Sequence, residues 1–376
     1  MKTDYKDQGN TFEREGPRHG GRRREAAQEY GMPREELMDF SASINPLGPP
    51  PGAVYAVRTA AVEMGHYPEE EPVALRTAVS EHLGVGYAEV VLGNGSSEII
   101  YWLAAELAPR KVLIVEPTFS EYGRACRAVG AHCDSLLLDE GESFALDVER
   151  LEPAGYDLVF VCNPNNPSGY FAPLEDMMRL WQRCRDAGVR LAVDEAFIDF
   201  TAPGQSLLAA GPDPGLFIIR SFTKSHALAG LRLGCLAAHT DFAARLRERM
   251  PPWNINVFAQ AAGLEALRDG PYLGRTRSRL EQARSSLFIG LMALPGLEPL
   301  PSAANFILCR LERMSSGELC DRLARTGILV RDCSSFRGLG DRFIRVAVRT
   351  EEENHQLLSS LKKVLGRLPS NRKVSG

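Results

Sequence analysis

The stretch R-S-F-T-K-S-H-A-L-A-G-L-R-L-G, residues 220–234, carries one lysine, Lys224, just after the apolar run 216–219. Hydroxyls flank it at Ser221, Thr223 and Ser225, and Arg232 follows eight residues later. A nucleophilic amine near donors that can hold a phosphate, with a permanent cation close by, is what carbonyl chemistry through a Schiff base requires. The same residues also describe a solvated lysine after a strand. Partners elsewhere in the chain decide between the two.

Around that stretch, apolar runs and helical patterns alternate. Strands are predicted over 90–92, 111–115, 158–162, 190–193, 216–220 and 234–238. Helices are predicted over 23–30, 53–64, 73–83, 121–129 and 174–187. Short apolar strands separated by helices make βαβ units and a mostly parallel sheet, so the chain reads as α/β. Helical pattern dominates 242–294, including one long stretch over 272–292. Strands at 306–310 and 343–348 then mix with helices at 316–326 and 351–365, an α+β second unit.

At 376 residues the chain exceeds one typical domain. Lys and Arg number 44 against 48 Asp and Glu, a net charge of −4, so bulk electrostatics propose no polyanion partner. A DNA-reading regulator would need an added helix-turn-helix domain and a basic face, and only 18 polar residues precede His19. No nucleic-acid role is expected. The eight cysteines form no C-x-x-C pair, and with seven dispersed histidines no metal-ligand spacing appears. Reduced thiols, no apolar run of bilayer length and a charged N-terminus point to a cytoplasmic protein without membrane contact.

Three further constellations carry chemistry. G-N-G-S-S, residues 93–97, lies at a strand-to-helix junction, where backbone N–H groups, hydroxyls and a helix N-terminus together bind phosphate. C-N-P-N-N-P-S-G, residues 162–169, follows a buried strand; its two prolines stiffen the turn and leave Asn166 as an amide donor where α/β sheets bind ligands. V-D-E-A-F-I-D-F, residues 193–200, puts Asp194 at another strand end, either in a structural salt bridge or against a protonated pyridine nitrogen.

In chain order, a phosphate turn, an amide, a strand-end carboxylate and a lysine with a trailing arginine meet the requirements of pyridoxal 5′-phosphate. The set G-N-G-S, N-P-N-N-P-S-G, D-E-A-F and S-F-T-K-x-x-x-L-A-G-L-R-x-G resembles the class I/II aminotransferase family of fold type I pyridoxal-phosphate enzymes, over residues 19 to about 365. The resemblance implies a large domain with a mostly parallel seven-stranded sheet over 51–272 and a smaller α+β domain over 273–368. It also implies an arm over 19–50 that packs on the small domain and on a dimer partner. Residues 1–18 are expected to be mobile, and 369–376 form a polar tail.

The resemblance further implies roles. Lys224 is the Schiff-base lysine and later moves the proton. Asp194 pairs with the pyridine nitrogen, Asn166 contacts the 3′-oxygen, and Phe119 stacks on the ring. Gly95, Ser96, Ser221, Thr223 and Arg232 hold the cofactor phosphate, and Tyr67 reaches across a homodimer to the neighbour's site. Arg345 grips the substrate carboxylate as a fork. Phe197 stands where many relatives carry a tyrosine that donates to the 3′-oxygen. The loss of that bond is expected to shift the Schiff base's basicity, which superimposable absorbance titrations of the wild type and Phe197→Tyr would refute.

H-G-G at 19–21, D-F-S-A-S-I-N-P-L-G-P-P at 39–50 and the segments within 329–354 resemble the threonine-phosphate decarboxylases of cobalamin biosynthesis. Histidinol-phosphate aminotransferases share the core, and phosphoserine is the alternative substrate of a decarboxylase. After the cofactor's phosphate is served, His19, Asn45, Arg331, Arg345 and Arg349 remain for a small phosphorylated amino acid. One carboxylate needs one arginine, and a second anion accounts for Arg331 with His19. Arg349 is equally well explained by surface ion pairing.

Overall fold

The computed structural model describes residues 19–366. The expectations for 1–18 and for the tail lie outside the described residues.

Among the described residues, thirteen strands fall in three sheets. Strand β1 (Met38–Asp39) precedes the large sheet, which contains β2 (Val90–Asn94), β3 (Lys111–Glu116), β4 (His132–Leu137), β5 (Leu158–Cys162), β6 (Arg190–Asp194), β7 (Leu216–Ser221) and β8 (Leu233–Ala238). Strands β9 (Leu297–Pro299), β10 (Phe306–Leu311), β11 (Ile328–Leu329), β12 (Arg331–Asp332) and β13 (Phe343–Ala347) follow. The large sheet runs β2-β8-β7-β6-β5-β3-β4 and is parallel except for β8, which is antiparallel to both neighbours.

Its central strands are near-continuous apolar runs, with polar residues at their ends, because helices cover both faces, as parallel sheets require. One face packs Ile99, Leu103, Tyr122 and Leu246 over Ile114, Phe160 and Phe217. The other packs Met177, Leu180 and Trp181 over Val159, Val161 and Val193. Strand β4 escaped the sequence reading because it is a half-exposed edge, with polar residues breaking its apolar pattern. The helix expected over 53–64 runs Pro51–Ala60 and then tightens into a 3₁₀ turn, Ala61–Gly65.

The small sheet is antiparallel, in the order β12-β13-β10-β9. Helices Tyr272–Met292, Ser316–Ala324 and Glu351–Leu365 contribute Leu287, Leu319 and Leu357 to its core. The N-terminal arm is stitched to this unit: β1 pairs in parallel with β11, and Phe40 N–H donates to Leu329 O at 2.7 Å. The fold thus brings the arm, the small sheet and the carboxyl ends of the large sheet to one place.

Candidate active site

Three strand ends of the large sheet lie side by side because Gly234 of β8 pairs with both Gly93 and Ser221. Helix Ser96–Leu107 begins just beyond β2, the turn bearing Lys224 continues β7, and Arg232 precedes β8. Close approach demands glycine here. A Cβ on Gly234 would stand 2.5 Å from Ser96 N, and one on Gly95, whose φ is +79°, would stand 2.4 Å from the Arg232 guanidinium. The helix's first-turn N–H groups have no acceptor within the helix. With Ser96, Ser221, Thr223 and Arg232 they form a cradle suited to a phosphate. The Ser221 and Thr223 hydroxyls are 2.7 Å apart.

The cradle is one end of a cavity of about 480 Å³ that Lys224, Asp194, Asn166, Phe119 and Phe197 also line. Lys224 is part-buried on its wall. Burial, with Arg345 and Arg232 nearby, lowers its ammonium to about 8, against the opposing pull of Asp194. Asp194 is buried at the end of β6. Its Oδ2 accepts from the Tyr122 hydroxyl at 2.7 Å and its Oδ1 from Ala196 N–H at 2.9 Å. Burial raises its pKa above the usual carboxylate range, while those two donors and Lys224 oppose the rise.

The opposite wall is cationic. Arg331 and Arg345 are direct cross-strand partners in the β12–β13 ladder, both buried. Like charges placed opposite one another destabilise a sheet unless an anion joins them. Arg345 donates to Asn166 Oδ1 and, at 3.1 Å, to Ser41 O, and its Nε is buried without a partner. Burial lowers it to about 10, so it stays charged at neutral pH. Arg331 donates to Ser335 Oγ at 3.1 Å. Among the described residues, Lys224, Arg232, Arg331 and Arg345 have no carboxylate within 4.0 Å. Arg220, in the same stretch as Lys224, differs: it is buried against Asp199 and Glu195 and serves the scaffold.

Other expected residues are distributed unequally. His19 lines the cavity, with its Nε2 3.3 Å from Glu121 Oε1. Asn45 does not line it. Its Nδ2 faces Ser225 O, Tyr272 Oη and Thr276 Oγ1 at 2.7 to 2.9 Å, and its N–H donates to Lys224 O at 3.1 Å. With its amide consumed by the scaffold, Asn45 has no donor left for a substrate. Arg349 also lies off the cavity, bound to Glu353 and donating to Asp39 O at 3.1 Å. Tyr67 is 79% exposed and stacks on Trp253, outside this chain's own cavity.

Residues the sequence reading missed include Ser41, Ser43, Glu121 and Tyr122, all cavity-lining. The Ser43 hydroxyl is buried without a partner. In the sequence the run F-S-E-Y, 119–122, is an ordinary helix opening after an aromatic, and nothing in it sets Glu121 and Tyr122 apart.

The fold and cavity define a fold type I pyridoxal-phosphate enzyme. The chain belongs to the aminotransferase class I and II family, whose model matches residues 35–361. It is 37% identical to the threonine-phosphate decarboxylase of Salmonella typhimurium, over 92% of this chain and 96% of that protein. Among solved structures, it resembles the histidinol-phosphate aminotransferase of Clostridium acetobutylicum with a TM-score of 0.82 at 32% identity, covering 88% of this chain and 100% of that one. It resembles the L-threonine-O-3-phosphate decarboxylase of Porphyromonas gingivalis with a TM-score of 0.80 at 25% identity, covering 87% and 99%. The residues present fit the family's cofactor. The cradle admits no Cβ where a phosphate approaches, an amine of lowered basicity faces the cavity, and a buried carboxylate is held ready.

Proposed function

We propose that this protein decarboxylates an O-phosphorylated amino acid, L-threonine O-3-phosphate, releasing carbon dioxide and 1-aminopropan-2-yl phosphate. The observation that carries this reading is the Arg331–Arg345 pair: two buried cationic side chains, opposite one another, without carboxylate partners. A substrate bearing both a carboxylate and a phosphate supplies one anion to each. The relative at 37% identity acts, by its name, on threonine phosphate.

In this reading Gly95, Ser96, Ser221, Thr223 and Arg232 hold the cofactor's phosphate, Asp194 faces its pyridine nitrogen, Asn166 its 3′-oxygen, and Phe119 its ring. When bound, pyridoxal 5′-phosphate supplies an electron sink for the pair freed as the bond at Cα breaks. Arg345 would hold the carboxylate and so orient the bond that joins it to Cα. Arg331 and His19 hold the distal phosphate and so fix the rotation about that carbon. Lys224 Nζ holds the amine-bound proton and delivers it to Cα after carbon dioxide departs.

A second copy of the chain completes the picture. Tyr67 stacks on Trp253 at the surface, and Tyr55, Val62 and Met64 are also exposed; a homodimer would cover apolar surface of this kind and carry Tyr67 to the partner's cofactor phosphate. Eight cysteines without a disulfide suit a cytoplasmic setting. Transamination of histidinol phosphate is the second reading, favoured by the likeness to the Clostridium enzyme. Arg331→Met separates substrate classes: it should raise KM for O-phosphothreonine about 10- to 100-fold, the worth of a hydrogen-bonded charge, and leave binding of unphosphorylated L-threonine unchanged. Equal losses for both would refute the assignment.

A further inference from the structure

We propose that Glu121 is a positioning residue that latches the N-terminal arm over the cavity by holding the ring of His19. The inference rests on the reading that the cavity receives a substrate with a distal phosphate. Glu121 opens the helix Glu121–Ala128, and its side chain is only 10% exposed. Its Oε2 accepts from the Tyr101 hydroxyl at 2.9 Å, and its Oε1 from Arg124 Nη1 at 2.9 Å. Two donors on the large-sheet side therefore orient the carboxylate. Oε1 also stands 3.3 Å from His19 Nε2, and the His19 ring leans on Phe119 with centroids 5.6 Å apart. The neighbouring Gly21 N–H donates to Ser41 Oγ at 2.9 Å, and Gly20 lies so close to Ser41 O that a Cβ would stand 2.2 Å from it. Backbone contacts thus tie the strap to the rest of the arm, while His19 and Glu121 tie it to the large domain.

The pairing also sets what His19 can offer. The charges facing it are Glu121 and Arg124 on the helix and Arg331 on β12. Burial, the largest influence, and the two arginines hold the imidazole below its usual range, and Glu121 opposes that lowering. A neutral ring donating Nε2–H to Glu121 leaves Nδ1 as an acceptor, which repels a phosphate. A doubly protonated ring donates from both nitrogens, one to Glu121 and one to the ligand. Glu121 therefore favours the form of His19 that donates to an anion. The same short segment holds Asp194 through Tyr122 and lines the cavity with Phe119, so the arm's point of attachment lies beside the cofactor site.

The test uses holoenzyme carrying Glu121→Gln, His19→Asn, and both. Glu121→Gln should raise KM for O-phospho-L-threonine about tenfold with kcat within about twofold, the loss of one charge-assisted bond. In the His19→Asn background it should add less than about twofold, because coupled residues do not add. Equal effects in both backgrounds would overturn the proposal. Independently of any substrate, the His19 signal in ¹⁵N-histidine NMR, assigned by its loss in His19→Asn, should titrate at lower pH in Glu121→Gln. An unchanged midpoint would overturn it too. If O-phosphothreonine is not turned over, the functional reading fails and the NMR titration alone judges Glu121. If Glu121→Gln does not fold, Glu121→Asp, which keeps the charge but withdraws it from His19, should shift the midpoint in the same direction, and no shift would again overturn the proposal.

Discussion

The Tyr122 hydroxyl donates to Asp194 Oδ2 at 2.7 Å, with both side chains buried. Burial alone would drive Asp194 towards its neutral form, and Tyr122 is the first of the groups that resist this. In the proposed role, a neutral Asp194 could no longer stabilise the cofactor's protonated pyridine. Tyr122→Phe should therefore weaken cofactor binding about tenfold, the worth of one hydrogen bond to a charged group, as read by titrating apoenzyme with pyridoxal 5′-phosphate. Unaltered affinity would show that Ala196 N–H suffices.

Lys224 gives a pH-dependent prediction. Its ammonium is lowered from 10.5 to about 8, chiefly by burial. Below about 8 the group is charged in both the folded and unfolded chain, and the fold bears the full penalty. Between about 8 and 10.5 the folded chain sheds the proton first, so stability rises with pH and the penalty fades. In apoprotein, Lys224→Met should stabilise by up to about 3 kcal/mol at pH 7, with a shrinking gain above pH 8. Chemical denaturation at pH 7 and pH 10 measures it; equal gains at both would be inconsistent with the lowered amine.

Asn45 clamps the lysine turn, donating to Lys224 O through its backbone and to Ser225 O through its side chain. Asn45→Ala leaves buried acceptors without partners and should cost about 2 kcal/mol of stability. It should lower kcat, because the amine loses its fixed approach, with KM near the wild-type value. A raised KM with intact stability would restore Asn45 to the substrate site.

The large sheet was legible because its central strands are short apolar runs ending in chemically distinctive residues. Asp194, Asn166 and Lys224 meet because parallel strands bring their carboxyl ends to one edge. The half-exposed β4 was hidden by its edge position, and β1, β11 and β12 are two residues long, too short for any periodicity. Asn45 and Arg349 carry the side-chain chemistry of ligand contacts, and only three-dimensional placement shows that their donors are already engaged by the scaffold. Tyr122 and Glu121 were invisible for the opposite reason. A tyrosine and a glutamate opening a helix look like ordinary surface residues until the fold turns one towards Asp194 and the other towards His19.

In the proposed reaction the carboxylate of a phosphorylated amino acid is the group that leaves. Holoenzyme given O-phospho-L-threonine labelled with ¹³C at the carboxyl carbon, without any oxo acid, should release the label as carbon dioxide and bicarbonate, with one equivalent of 1-aminopropan-2-yl phosphate. Retention of the label, together with glutamate formation from 2-oxoglutarate and histidinol phosphate, would rule out decarboxylation and make the protein a transaminase.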